Sequence, residues 1–156
     1  MLIDSHAHLE MREFDSDRHD VIERAGLAGV DCIVTVGTNP GLSRKALSIA
    51  HQYKNIYATV GVHPHDVAKA GDKSFDELKA LAQDPKVVAY GEIGLDYFRN
   101  ISPREKQIEM FAKQLELAQE LNLPVIIHDR DAHEETLRMV KASGVCLGVF
   151  HCFSGD

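Results

Sequence analysis

Six short apolar runs recur along this chain, each followed by a segment of helical periodicity, and no other feature restricts the fold as strongly. The runs cover residues 2–4 (LID), 32–37 (CIVTVG), 56–62 (IYATVGV), 87–94 (VVAYGEIG), 124–128 (PVIIH) and 146–151 (CLGVFH). They are near-continuously apolar, the pattern of strands covered on both faces. Between them lie amphipathic stretches at 16–28, 40–53, 74–83, 103–121 and 132–143. Strand then helix, repeated, predicts parallel strands joined by right-handed crossovers. No linker or low-complexity stretch interrupts the series, so residues 1–156 read as one domain.

Local signals support the helices. Asn39–Pro40 is a helix start, and Ser102 reads as an N-cap with Pro103 at the first helical position and Glu105 as capping-box partner. Phe111, Leu115, Ala118 and Leu121 then form a stripe that Pro124 ends. A doubly wound sheet should carry a glycine fingerprint after its first strand, and DSHAHLE has none. A (β/α) barrel instead predicts functional residues at the C-terminal ends of many strands.

The strand ends meet that expectation. The first run leads into His6 and His8, which share a face if the strand continues. The third leads into His63 and His65, the fourth carries Glu92 with Asp96 just beyond, the fifth ends in His128 and the sixth in His151. Five of six strands ending in metal-ligand residue types is not a chance pattern. Imidazole and carboxylate donors suit zinc, manganese or a similar divalent ion. Four histidines and a glutamate exceed what one catalytic ion needs, and a central Glu92 can bridge two ions of the kind used for displacement at phosphorus. His19, His51 and His133 fall in helical patterns and read as solvated.

Composition bounds the rest. With 44% hydrophobic and 26% charged residues the chain is globular. No apolar stretch is long enough for a bilayer, and the N-terminus lacks a signal-peptide pattern. Cys32, Cys146 and Cys152 form no CxxC pair and read as reduced thiols, which predicts a cytoplasmic protein without membrane association. A net charge of −7 argues against a broad duplex-binding surface but leaves room for a compact site engaging one or two phosphates.

DSHAH, GVHPH, GEIGLDY, IHDRDAHEET and FHCFSG, in this order and spanning nearly the whole chain, resemble the signature blocks of the TatD family of metal-dependent deoxyribonucleases, within the amidohydrolase-like superfamily. The resemblance implies a TIM-type (β/α) barrel and 3′-end exonuclease activity on DNA or RNA, with single strands or 3′ ends as substrate and two divalent ions (Zn, Mn or Mg) as cofactors. By matching position, His6 and His8 would bind the first ion, Glu92 would bridge as a catalytic residue, and His128 and His151 would bind the second. His63 and Arg130 would lie on the substrate side near the scissile phosphate, His63 with a catalytic part. Asp96 is expected beside the substrate or orienting a ligand histidine. Arg130 has the fork geometry for phosphate.

A full barrel typically runs to about 250 residues, so the six units here correspond to the first part of one, with the last two strands absent. In the family the absent part supplies an aspartate that completes the first metal site. The expectation is a fragment or shortened form, whose first and sixth strands are open edges prone to association. Two other readings keep the motifs: hydrolysis of a non-nucleic-acid ester or amide, and a catalytically inactive metal-binding fragment. Against the first, relatives of that kind often bridge with a carboxylated lysine, where this chain has Glu92.

Overall fold

The computed structural model describes residues 1–153. Its strands are β1 (Leu2–Ala7), β2 (Val30–Val36), β3 (Ile56–Val60), β4 (Val87–Asp96), β5 (Val125–Arg130) and β6 (Gly148–His151). Its helices are α1 (Arg18–Leu27), α2 (Pro40–Gln52), α3 (Asp72–Leu81), α4 (Arg104–Glu120) and α5 (His133–Ser143), with short 3-10 turns at Arg12–Phe14 and Val67–Lys69. All neighbouring strands pair in parallel, in the sequential order β1-β2-β3-β4-β5-β6. Sequential parallel order with a helix in every crossover is the topology of a (β/α) barrel, as expected.

The sheet curls. His6 on β1 and His151 on β6, at opposite ends of the strand order, stack ring on ring with centroids 3.4 Å apart and planes within 11°. The main core lies between sheet and helices, with Ile33, Ile56, Ala58, Tyr90, Ile93, Leu95, Val125 and Ile127 meeting Phe111, Leu115 and Ala118 of α4. A second, small cluster of Val36, Ala89 and Ile126 fills the other face. His128 stands two residues after Ile126 and so shares its face. The candidate site therefore opens above this inner cluster.

Three expectations need correction. β1 and β6 are not covered on both faces: Leu2 to Ser5, Gly148 and Val149 are exposed, because these are the sheet edges. β1 also runs through Ser5 and His6, since its pairing with β2 holds the chain extended past the apolar run, with register shifts after Leu2 and Asp4. Ser102 does not cap α4. The cap position is Pro103, no side-chain capping bond forms, and the buried Ser102 hydroxyl donates to the His65 carbonyl at 3.0 Å instead. A tertiary partner has outcompeted the local one. Asn39 does cap α2, its Oδ1 accepting from the Leu42 N–H at 3.0 Å with Pro40 following.

One close approach shapes the site end of β4. At Gly94, φ is +144° and a Cβ would stand 1.9 Å from the His128 carbonyl oxygen. A side chain there would push β5 away from β4. Asp96 is the last residue of β4 and nearly fully buried.

Candidate metal centre

The C-terminal ends of the parallel strands bring six histidines and the carboxylates of Glu10, Glu92 and Asp96 to one end of the sheet. His6 Nε2 lies 3.2 Å from His8 Nε2 and 3.4 Å from Glu92 Oε2, and His8 Nε2 lies 3.8 Å from the same oxygen. The other carboxylate oxygen, Glu92 Oε1, is 2.9 Å from His128 Nδ1 and 3.8 Å from His63 Nε2, and those two nitrogens are 3.2 Å apart. Two groups of three potential ligands result: His6, His8 and Glu92, and His63, Glu92 and His128. Glu92 belongs to both, one oxygen to each.

The donor set fits divalent cations. In each group ring nitrogens and a carboxylate oxygen converge with more lone pairs than protons to share, in a setting where Glu92 is 3% exposed. A buried carboxylate facing unpaired imidazole lone pairs is costly unless a proton or a cation sits between them. Imidazole nitrogen with carboxylate oxygen is a ligand mix suited to zinc and similar ions.

The far nitrogens of the rings indicate their roles. His8 Nδ1 faces Glu10 Oε1 at 3.0 Å and the Val36 carbonyl at 3.2 Å. Glu10 has no exposure, and its Oε2 accepts from the Thr35 hydroxyl at 2.7 Å. His128 Nε2 faces Asp96 Oδ2 at 3.0 Å, an oxygen that also meets His65 Nε2 at 2.8 Å. Acceptors at the far nitrogen draw the ring proton there, leaving the inward nitrogen a lone pair, the arrangement found behind metal-ligating histidines. His63 is wired the opposite way. The His65 backbone N–H donates to its Nδ1 at 3.1 Å, so the proton of the neutral ring sits on Nε2. His63 thus points a donor, not a lone pair, at the site.

The pKa shifts show the same cluster holding protons where a cation would sit. Burial lowers the His63 pKa to about 3, so its ring is neutral. Burial pushes Glu92 upward, but hydrogen bonds from His128 and His6 outweigh it and hold the carboxyl below its ordinary range. His8 and His128 are drawn down by burial and then raised overall by Glu10 and Glu92, and by Glu92 and Asp96, respectively. His151 is lowered, first by burial and then by His6.

Other sequence-predicted residues take varied positions. His151 is in neither three-residue group among the described residues and stands against His6. Arg130 is exposed, with its guanidinium 4.1 Å above the Phe98 ring centroid. It lines a cleft of about 380 Å³ with His128, Asp129, His151 and Cys152. A second cleft of about 380 Å³ opens over His8, His63, His65 and Glu92, with Met11, Thr38, Asp66 and Arg99 completing its wall. The histidines read as solvated have partners: His19 with Tyr53, His51 with Asp84 and His133 with Asp129. The end of the FHCFSG block, residues 154 and 155, lies outside the described residues. Sequence reasoning missed Glu10 and Arg99. Glu10 extends the His6, His8 series by two more residues, a spacing that could have marked it.

Comparison with known proteins places the chain in a family. Residues 3–156 match the model of the TatD related DNase family. A metal-dependent hydrolase of Bacillus subtilis (strain 168), YabD, is 42% identical over 100% of this chain and 62% of its own length. The 3′-5′ ssDNA/RNA exonuclease TatD of Salmonella typhimurium is 40% identical over 99% of this chain and 60% of its own. Among solved structures, the TatD homologue YJJV of Escherichia coli superposes with a TM-score of 0.93 at 35% identity, covering 99% of this chain and 61% of that one. A TatD family hydrolase of Entamoeba histolytica gives 0.91 at 31% identity, covering 99% and 58%. The chain thus spans about 60% of the length of the relatives it matches. With the family model matched across nearly every residue and the fold shared, the chain belongs to the family of TatD related DNases.

Proposed function

We propose that this chain is the metal-holding part of a phosphodiesterase that removes nucleotides from the 3′ ends of single-stranded nucleic acid. The observation that carries the reading is the convergence of His6 Nε2, His8 Nε2 and Glu92 Oε2, backed by His128 Nδ1 on the other oxygen of the same carboxylate. His6, His8 and Glu92 would hold one divalent ion, and Glu92, His128 and His151 the other, with zinc, manganese and magnesium as the candidates. When bound, such ions polarise a phosphoryl oxygen and lower the pKa of water.

The protein's own groups supply orientation and charge. Glu10 and Asp96 fix the rings of His8 and His128 from behind. His63, neutral with its proton on Nε2, donates a hydrogen bond toward a non-bridging phosphate oxygen in the cleft it lines. Arg130, at the neighbouring cleft, offers a fixed positive charge to the next phosphate. With a net charge of −7, the acid-rich surface favours a short single-stranded end over a long duplex track. The relatives named as 3′-5′ ssDNA/RNA exonucleases support this polarity. Among the described residues no helix is long and apolar enough to cross a membrane. The cysteines are unpaired, which supports a reducing compartment and, within this proposal, the cytoplasm.

The test is incubation of the chain and manganese with a 5′-labelled single-stranded oligonucleotide. A ladder shortening from the 3′ end is expected, abolished by chelation. Glu92→Gln should reduce it at least ~100-fold, since oxyanion-side and metal-holding groups are worth that much or more. Hydrolysis of a phosphotriester or an aminoacyl ester with no attack on the oligonucleotide overturns the proposal.

A further inference from the structure

The loop after β4 carries an exposed aromatic ring that the metal centre does not explain. Phe98 is 59% exposed, although the loop around it is pinned on every side. The Arg99 N–H donates to Asp96 Oδ1 at 2.7 Å, and the other oxygen of that carboxylate holds His65 and His128. The Tyr97 N–H donates to the Arg130 carbonyl at 2.9 Å, and the Tyr97 hydroxyl donates to Glu135 at 2.5 Å. Asn100 takes a left-handed turn at φ +47°. The loop is therefore referenced to the carboxylate that orients His128, and it presents Phe98 in one place.

The two arginines beside the ring each line one of the clefts. Arg130 covers it with its guanidinium at 4.1 Å and lines the cleft beside His128 and His151. Arg99, the next residue along the chain, lines the cleft beside His63 and Glu92. A flat apolar ring backed by one guanidinium and flanked by a second is the combination single-strand binders use, stacking a base while cations track the phosphates. We propose that Phe98, backed by Arg130, is the stacking platform for a nucleobase flanking the scissile phosphate, and that Arg99 holds the phosphate beside it. This rests on the nuclease reading and names the part of the substrate that the enzyme grips without reading its sequence, because every base has a π-face.

The test uses a single-stranded oligonucleotide with 2-aminopurine at the last or penultimate position and a cleavage-resistant phosphorothioate in its terminal linkage. Stacking quenches this base, so titration with the metal-loaded chain should quench its fluorescence. Phe98→Ala should remove the quenching and weaken binding roughly 5- to 100-fold, and Phe98→Trp should restore both. Arg99→Gln should weaken binding with the quenching at saturation intact. Replacing the two end nucleotides by abasic residues should make wild type and Phe98→Ala equal. Melting of Phe98→Ala should match wild type, and a large loss would assign the ring to packing and overturn the proposal. Unchanged quenching in Phe98→Ala also overturns it. The two readings separate when cleavage of the plain oligonucleotide is set beside quenching of the 2-aminopurine one: cleavage by wild type without Phe98-dependent quenching removes the platform alone, whereas quenching without cleavage removes the nuclease and keeps the platform.

Discussion

Glu10 has no solvent exposure, yet it is two residues from a partly exposed histidine and holds it from behind. Its carboxylate spans His8 Nδ1 and the Thr35 hydroxyl, which fixes both the tautomer and the tilt of the ring that faces Glu92. Glu10→Gln keeps the volume but offers an N–H where an acceptor is required. Manganese affinity of the first site, measured by calorimetric titration, should fall about 10- to 100-fold, the usual cost of losing such a partner. Affinity within a factor of two of wild type would show that His8 needs no such support. At this scale the sequence was readable where residue type alone carried the chemistry: His6, His8, Glu92 and His128 converge as their strand-end positions predict. It was not readable where the role depends on a neighbour's hydrogen bond. His63 follows β3 and His128 lies within β5, yet as residue types they are the same, and only the His65 N–H and the Asp96 carboxylate distinguish the two rings.

Among the elements, α4 does more than cover the sheet. Gln114 accepts the Val62 N–H at 2.8 Å and donates to the Val62 carbonyl at 3.0 Å, closing the backbone of the segment that leads into His63. Gln107 treats Asp96 in the same way, at 2.8 and 3.2 Å, and also donates to the Ser102 carbonyl. Two buried amides thus stand in for strand partners just where β3 and β4 end. Gln114→Leu leaves the N–H and C=O of Val62 buried and unpaired, which costs about 2–4 kcal/mol. For a chain of this size thermal unfolding should shift down by roughly 5–15 °C, and an unchanged midpoint would mean the segment finds other partners. The helical stripe of Phe111, Leu115 and Ala118 was legible because apolar periodicity reports burial. Gln107 and Gln114 lie on the same side, but a polar residue announces burial only through its partner. The inner strands were legible for the same reason, whereas β1 was read short because backbone pairing with β2, not side-chain hydrophobicity, carries it through Ser5 and His6.

In the whole molecule the site joins parts of the sheet that are not hydrogen-bonded to one another. β1 and β6 are the ends of the strand order, and their approach is marked by the stacked rings of His6 and His151. Glu92 lies on β4 and faces the β1 group with one oxygen and the β5 group with the other. An ion bound by the folded sheet and not by the unfolded chain therefore ties distant strands together and stabilises the native state. At about 100 times its dissociation constant an ion adds about 2.7 kcal/mol, which corresponds to roughly 5–10 °C in a chain of this size. Glu92→Gln should lose nearly all of the manganese-dependent shift, measured against its own metal-free melt, because one group loses its oxygen and the other keeps only a neutral amide oxygen. His6→Ala and His128→Ala should each lose part of it. His63→Ala should keep the shift and lose activity, because a ring whose inward nitrogen carries the proton donates to substrate and does not ligate. If His63→Ala erases as much of the shift as His128→Ala, the proton is not on Nε2 in the loaded protein, and the second group is a metal site with His63 as one of its ligands.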